Sequence, residues 1–314
     1  MTASGDARGS AVAPSELRRA GDDRPSPVGF VGLGNMGWPM AHNLAAAGLA
    51  LVVRDADETL QQRFADEHRA RAARSAADFA DASVVVTMLP DETAVLDAVL
   101  RWDGGIAAAL QPGAVVVDMS SSNPIGTRAL GPQLAARGVA LVDAPVSGGI
   151  TRAGDGTLSI MIGADDEDAV TRALPVLEIL GEKLFRTGAT GSGHAMKALN
   201  NFLGGAAYTT TAEALRIGAH FGLKPGTMLE VINSSTGRSF NSEVVFPQDV
   251  VPERYATRFA LGLLAKDVGI AASLADAADV DAPACRLVSE RWAAALERLG
   301  PAADHSEAHK GWWE

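Results

Sequence analysis

The chain has 314 residues, 47% of them hydrophobic and 21% charged, which excludes disorder throughout and by size implies two domains or one large one. A formal net charge of −11 supplies no general positive field for a polyanion, so nucleic acid is not expected as a ligand, and an anionic substrate needs a local positive pocket. A single cysteine, Cys285, excludes an intramolecular disulfide and any multi-cysteine metal pattern, and fits a reducing cytoplasm.

Residues 1–26 are rich in Ala, Gly, Ser, Arg and Asp and read as a disordered tail. The twin arginine Arg18-Arg19 is followed by Ala20-Gly21-Asp22-Asp23, not by the apolar stretch of an export signal. No stretch of about 18 uninterrupted apolar residues follows, so no membrane span is expected. From residue 28, continuous apolar runs over Val28–Val31, Leu51–Val53, Val84–Met88, Val115–Asp118, Ala140–Val142 and Leu158–Ile162 read as strands buried on both faces. Helical periodicity fills the gaps over Gly37–Ala47, Glu58–Glu67, Glu92–Leu100, Pro124–Arg137 and Glu167–Leu180. This alternation predicts an α/β domain over residues 27–190 built on a doubly wound parallel sheet with right-handed crossovers. Beyond about residue 190 only helical periodicity remains, which predicts a second, all-helical domain over 191–314. Its helices are expected over Ala195–Phe221, Pro225–Asn233, Leu261–Ala277 and Ala284–Leu299. The first is long enough to act as a spine between the halves, and its apolar surroundings point to a homo-oligomer, dimer or tetramer.

Directly after the first strand, Gly32, Gly34 and Gly37 stand in GxGxxG spacing and open a helix. Gly32 permits the tight turn, Gly34 lets the backbone of Leu33, Asn35 and Met36 approach a pyrophosphate, and Gly37 allows close helix-to-strand packing, as in a Rossmann-type dinucleotide site. Asp55 ends the second strand about 20 residues on, where a carboxylate accepts the adenosine ribose hydroxyls and repels a 2′-phosphate. NAD is therefore the expected cofactor. NADP stays open because Arg54 could pair with that phosphate instead of pointing to solvent.

Four blocks in order, spanning about residues 27–312, resemble the β-hydroxyacid dehydrogenases, the family of 3-hydroxyisobutyrate dehydrogenase. They are Gly29-Phe-Val-Gly-Leu-Gly-Asn-Met-Gly-Trp-Pro-Met40, Asp143-Ala-Pro-Val-Ser-Gly-Gly149 with Gly154-Asp-Gly-Thr157, Gly191-Ser-Gly-His-Ala-Met-Lys-Ala-Leu-Asn-Asn201, and Lys266-Asp267. The resemblance implies hydride transfer between NAD and a small β-hydroxy acid, with Lys197 as general acid and base. It further implies cofactor contacts from Leu89 and Pro90 after the fourth strand, from Ser121 where the family often has threonine, and from Lys266. Ser147, Gly148 and Gly149 match the family's substrate loop.

The residues carry the same chemistry independently. Asn201 follows Lys197 by four residues, so both side chains leave one helix face and can reach one substrate oxygen. An alcohol oxidation needs a group that takes the hydroxyl proton, and an amine brought from about 10.4 to near 8 costs roughly 3 kcal/mol of differential solvation, which burial or a neighbouring cation supplies. Only five of the 27 basic residues are lysines, which sets Lys197 apart from ordinary surface charge. Ser147-Gly148-Gly149 can form an amide nest for a carboxylate at the sheet edge. Gly204 and Gly205 mark either a ligand approach or tight helix packing, the serines at 120–122 could instead cap the helix at Pro124, and His194 could tune Lys197 or serve the helix start. Arg238 could hold a second acid group or a salt bridge, and Phe240 could shape a substrate pocket or pack in the core. The six histidines show no metal-ligand spacing, and no metal is expected. Alternatives are reduction of an aldehyde acid such as tartronate semialdehyde, oxidation of a sugar acid such as threonate, and a catalytically silent dinucleotide-binding scaffold. Imine reductases share the architecture but generally lack the lysine.

Overall fold

The computed structural model describes residues 26–313. Of the tail expected over 1–26, all but Ser26 lies outside the described residues, and Ser26 is buried. The chain forms two compact units, Met1–His194 and Ala195–Glu314.

The first unit is built on β1 (Val28–Val31), β2 (Leu51–Arg54), β3 (Arg71–Ala72), β4 (Val84–Thr87), β5 (Val115–Asp118), β6 (Ala140–Asp143), β7 (Val146–Ser147), β8 (Leu158–Gly163) and β9 (Gly181–Gly188). They lie in the order β3-β2-β1-β4-β5-β6-β8-β7, with β9 on the other side of β8. The six strands β3 to β6 in that order are mutually parallel, with Val28 in register with both Leu51 and Val84. Strands β1, β2, β4, β5 and β6 bury both faces. Val28, Phe30 and Val86 enter one core, and Val31, Val85 and Val116 enter the other, which is why the runs read as continuously apolar.

Helices α1 (Gly37–Ala46), α2 (Glu58–His68), α3 (Glu92–Leu96), α4 (Ile106–Ala109), α5 (Pro124–Ala135), α6 (Gly149–Gly154) and α7 (Glu167–Leu180) complete the unit. Short polar side chains start several of them. Asp57 accepts the Thr59 and Leu60 amides, Asp91 that of Ala94, and Asn123 that of Ile125 ahead of Pro124. The helix expected to run to Leu100 is α-helical only to Leu96 and continues with wider turns over Asp97–Arg101.

The run of parallel pairs is interrupted at β6 and resumes only between β8 and β9. The run at Leu158–Ile162 forms β8 antiparallel to both β6 and β7, because the chain turns back through β7 and the six-residue α6 and makes no long helical crossover there. Two-residue β3 and β7 and the eight-residue β9 were not expected; β9 carries Glu182, Lys183 and Arg186 and has no apolar run to reveal it.

The second unit is helical, with α8 (Ser192–His220, its first turn still in the first unit), α9 (Pro225–Asn233), α10 (Leu261–Ala277) and α11 (Pro283–Leu299). A wide-turn segment Asn241–Val250 and a 3-10 segment His305–Gly311 complete it. Its core gathers around Tyr208, whose ring lies 4.9 Å from Phe246, 5.5 Å from Trp292 and 5.8 Å from Trp312. The Tyr208 hydroxyl donates to the Ser306 carbonyl at 2.7 Å, and burial pushes its ionisation far above the ordinary tyrosine range, so it is a structural group. Among the described residues no helix is long and apolar enough to cross a membrane.

Candidate active site

The strand order reverses between β1 and β4, and the loops leaving their carboxyl ends are neighbours there, where open α/β sheets bind ligands. Gly32 has φ +99°, and a Cβ on it would lie 2.2 Å from the Met88 carbonyl oxygen, so only glycine lets the two loops meet. A Cβ on Gly37 would lie 1.9 Å from the Gly32 carbonyl oxygen, which holds α1 tightly against the turn. At Gly34 a Cβ would meet nothing within 4 Å: the loop is open on the side where a pyrophosphate would approach the first amides of α1. Asn35 is exposed and Met36 half-buried at the start of that helix. Leu33 contributes differently from the expectation, since its side chain is in the core and its amide donates to Asp55 Oδ2 at 2.6 Å. Asp55 Oδ1 accepts the Asp57 amide at 2.8 Å. The carboxylate is thus held at the tip of β2 beside the glycine turn, and each oxygen keeps a lone pair for a ribose hydroxyl. Arg54 does not point to solvent; its guanidinium lies 4.8 Å over the Trp102 ring, and Nη1 donates to Gln61. The glycine cradle and the placed carboxylate together fit a dinucleotide.

Leu89 and Ser120 join the next two strand ends, the Leu89 amide donating to Ser120 Oγ at 2.9 Å. Asp118, buried at the end of β5, accepts from Thr87 Oγ1 and Ser122 Oγ at 2.8 Å and from the Ser120 amide at 3.0 Å. Asn123, not a serine, caps α5. Pro90 and the half-buried Ser121 lie at the same edge. Further along, Gly148 (φ +142°) and Gly149 (φ +65°) turn the chain from β7 into α6, and a Cβ on Gly149 would meet nothing within 4 Å, so the loop after Ser147 is open there. Asp143, from the same motif, is fully buried and accepts the Gly191 amide at 2.7 Å and the His194 amide at 2.9 Å, anchoring the first turn of α8. Burial raises its carboxyl above the ordinary range, opposed by the His194 ring and these two amides.

In the second unit Lys197 is half-buried and Asn201 buried, one turn apart on α8. The Asn201 amide donates to Asp267 Oδ2 at 2.6 Å, and Asp267 Oδ1 lies 3.2 Å from Lys266 Nζ. Desolvation lowers the Lys197 amine below the ordinary lysine value; Asp267 opposes that shift and Lys266 adds to it. Lys197, Asn201, Lys266 and Asp267 are therefore one electrostatic group. Sequence reasoning passed over Asp267 as half of a motif; its one signal was a carboxylate beside a lysine on the apolar α10, where it is 2% exposed. The glycine pair divides: a Cβ on Gly205 would crowd Trp292 and Val268 at 3.1 Å, which is tight helix packing, while Gly204 is open. Arg238 lies 3.5 Å from Glu243 and Phe240 is 69% exposed, so neither belongs to the core.

Two family models cover nearly all of the described chain. The NAD binding domain of 6-phosphogluconate dehydrogenase matches residues 27–188, and the NAD-binding domain of NADP-dependent 3-hydroxyisobutyrate dehydrogenase matches 191–312. The chain belongs to the β-hydroxyacid dehydrogenase family. It is an oxidoreductase, an NAD(P)-dependent dehydrogenase acting on the CH–OH group of hydroxy acids. It is similar to 2-(hydroxymethyl)glutarate dehydrogenase of Eubacterium barkeri, with 35% identity over 84% of this chain and 87% of that one. NAD-dependent L-serine dehydrogenase of Pseudomonas aeruginosa is 36% identical over 82% and 87%, and human mitochondrial 3-hydroxyisobutyrate dehydrogenase is 35% identical over 78% and 74%. Among solved structures, Mycobacterium tuberculosis 3-hydroxyisobutyrate dehydrogenase with L-serine superposes with a TM-score of 0.82 at 29% identity, over 92% of this chain and 99% of that one. Gly32–Gly37 lies at the strand ends where the sheet order reverses, and Lys197 and Asn201 lie one turn apart on α8.

Proposed function

We propose that this dehydrogenase oxidises a small acid bearing a primary alcohol β to its carboxylate, of the 3-hydroxyisobutyrate kind, or reduces the matching aldehyde acid, with NAD as the preferred partner. The observation that carries the reading is the desolvated Lys197 amine, one turn from an Asn201 whose amide is already held by Asp267. In the oxidation direction Lys197 Nζ takes the hydroxyl proton as the carbonyl forms, and in reduction it returns that proton. Asn201 orients the same oxygen. When bound, the nicotinamide accepts or gives the hydride at the hydroxyl-bearing carbon. Gly32, Leu33, Gly34, Asn35, Met36 and Gly37 form the turn for the pyrophosphate, with Leu33 acting through Asp55. Leu89, Pro90, Ser121 and Lys266 complete the cofactor contacts, and Ser147, Gly148 and Gly149 receive the substrate carboxylate.

The substrate class is supported by the relatives' names: 3-hydroxyisobutyrate, L-serine and 2-(hydroxymethyl)glutarate each carry a hydroxymethyl group on the carbon next to a carboxylate. NAD over NADP is supported by Asp55 at the tip of β2 and by the engagement of Arg54 with Trp102 and Gln61. A homo-oligomer is supported by the exposed apolar side chains of Leu199, Leu203 and Ile217 on α8 and of Phe221 just after it, and a cytoplasmic setting by the single cysteine. The deciding experiment is Lys197→Ala: kcat should fall by at least about 100-fold while NADH affinity stays within about twofold. Retained turnover in that variant would move the proton-transfer role to another group.

A further inference from the structure

Two glycines stand side by side inside α8, where the absence of a side chain lowers helix stability relative to alanine. Gly205 has a packing reason, since a Cβ there would crowd Trp292 and Val268 at 3.1 Å. Gly204 has none. Its φ is negative and helical, so the backbone does not require glycine. A Cβ on it would meet nothing within 4 Å, although the residue is half-buried. Room for a side chain thus exists at a partly covered point of the helix, and the fold leaves it unfilled.

The glycine's place on the helix is specific. At about 100° per residue, Gly204 falls within about 20° of Lys197 and about 60° of Asn201, so the three share one face. The helical rise puts Gly204 about 4.5 Å beyond Asn201 along the axis. A substrate oxygen held by Lys197 and Asn201 therefore has the opening a few bonds away. The opening is also fixed in position: the buried Asn241 donates from Nδ2 to the Gly204 carbonyl at 2.9 Å, which ties the start of the wide-turn segment to this turn of α8. Even Asn241 stays more than 4 Å from where a Cβ would lie. The neighbours of Gly204 on the same face, Asn200 before it and Ala207 after it, carry no charge, so the opening suits an uncharged chain.

We propose that Gly204 is a specificity-determining residue, which makes room for a substituent longer than methyl on the carbon that joins the hydroxymethyl group to the carboxylate. The substituent is an uncharged chain of about three carbons, long enough to cover the rise of about 4.5 Å from Asn201 to Gly204. The inference rests on the substrate class proposed above and selects its larger members. Any side chain at position 204 would occupy the space of that chain and leave the reacting oxygen's partners, Lys197 and Asn201, unaltered.

The test compares kcat/KM for 3-hydroxyisobutyrate and for its propyl counterpart, 2-(hydroxymethyl)pentanoate, with NAD, in the parent, Gly204→Ala and Gly204→Val. The parent should accept the propyl acid within about tenfold of the methyl acid, and the propyl-to-methyl ratio should fall by at least about tenfold in Gly204→Val, with Gly204→Ala between the two. A parent that discriminates more strongly against the propyl acid, or a smaller change of the ratio in Gly204→Val, overturns the proposal. If the parent turns over neither acid, the substrate class itself fails, and this inference with it. Thermal melts separate room for substrate from a role in packing. Gly204→Ala should melt at or above the parent temperature, because alanine is the better helix former, and a drop of more than about 2 °C assigns the glycine to the fold and overturns the proposal.

Discussion

Replacing Asp267 with asparagine removes one charge and leaves a group of the same shape that the Asn201 amide can still reach. Its effect on the Lys197 amine can be worked from the helix geometry. Asn201 is one turn from Lys197, roughly 6 Å along the same face, and its amide nitrogen lies 2.6 Å from Asp267 Oδ2. The amine and the carboxylate are thus about 7 Å apart, and at effective dielectric constants of about 20 to 40 their attraction is roughly 1 to 2 kcal/mol, or about one pKa unit. Asp267 is the group that holds the amine's pKa up against burial and Lys266, so removing it lets the amine lose its proton at lower pH. For alcohol oxidation the neutral amine is the active form. The rising acidic limb of kcat/KM should therefore move toward lower pH by about one unit in Asp267→Asn, with NADH affinity little changed. The assay is the pH profile of initial NADH formation with a saturating cofactor. A limb that stays in place or moves to higher pH refutes the electrostatic coupling, even if the variant is slow.

Gly32→Ala must place a methyl 2.2 Å from the Met88 carbonyl in a left-handed backbone, so at least about 2 kcal/mol of stability and most NADH binding should be lost, as read by thermal melts and fluorescence titration; a stable variant with normal affinity would mean the turn rearranges freely. Asp55→Ser should raise the preference for NADPH over NADH by about tenfold or more in steady-state rates, and an unchanged ratio would remove Asp55 from ribose recognition. Burial lowers the pKa of both His305 and His309 below the ordinary value of 6.5, helped at His309 by Lys310. The unfolded chain therefore binds more protons as pH falls through 6.5 toward the folded values, so stability is present above that pH and declines below it, by up to about 1.4 kcal/mol per pH unit for each ring. Chemical denaturation between about pH 7.5 and 5.5 should show this slope in the parent and lose most of it in the double His→Gln variant, and equal slopes would refute it.

How much of the site could be read from the chain depended on how local its physics is. Gly32 and Gly37 were legible because a left-handed turn and a helix pressed on a strand demand residues without a Cβ, at a spacing set by one turn of chain. Lys197 and Asn201 were legible as a pair because a helix puts four-residue neighbours on one face. Asp267 was not, because its meaning comes from Asn201, 66 positions away. The same holds for Asp118 and His194, whose contact joins the end of β5 to the first turn of α8. Leu33 shows the limit from the other direction: its place in the glycine motif suggested a phosphate contact, and its amide instead holds Asp55, 22 residues on.

The parallel, doubly wound arrangement of β1, β2, β4, β5 and β6 followed from apolar runs alternating with helical ones, since strands buried on both faces leave a continuous hydrophobic trace and parallel neighbours require helical crossovers. The chain therefore carried its own α/β class, its glycine turn and its lysine–asparagine pair in local pattern. The tertiary structure decided the antiparallel turn of β8 and the charged strand β9. It also decided which serine caps nothing and instead hangs on Asp118, and how far Lys197 is stripped of water. Those outcomes depend on burial and on long-range partners, and the free energy of a buried charge is set by whatever folds around it rather than by its neighbours in sequence.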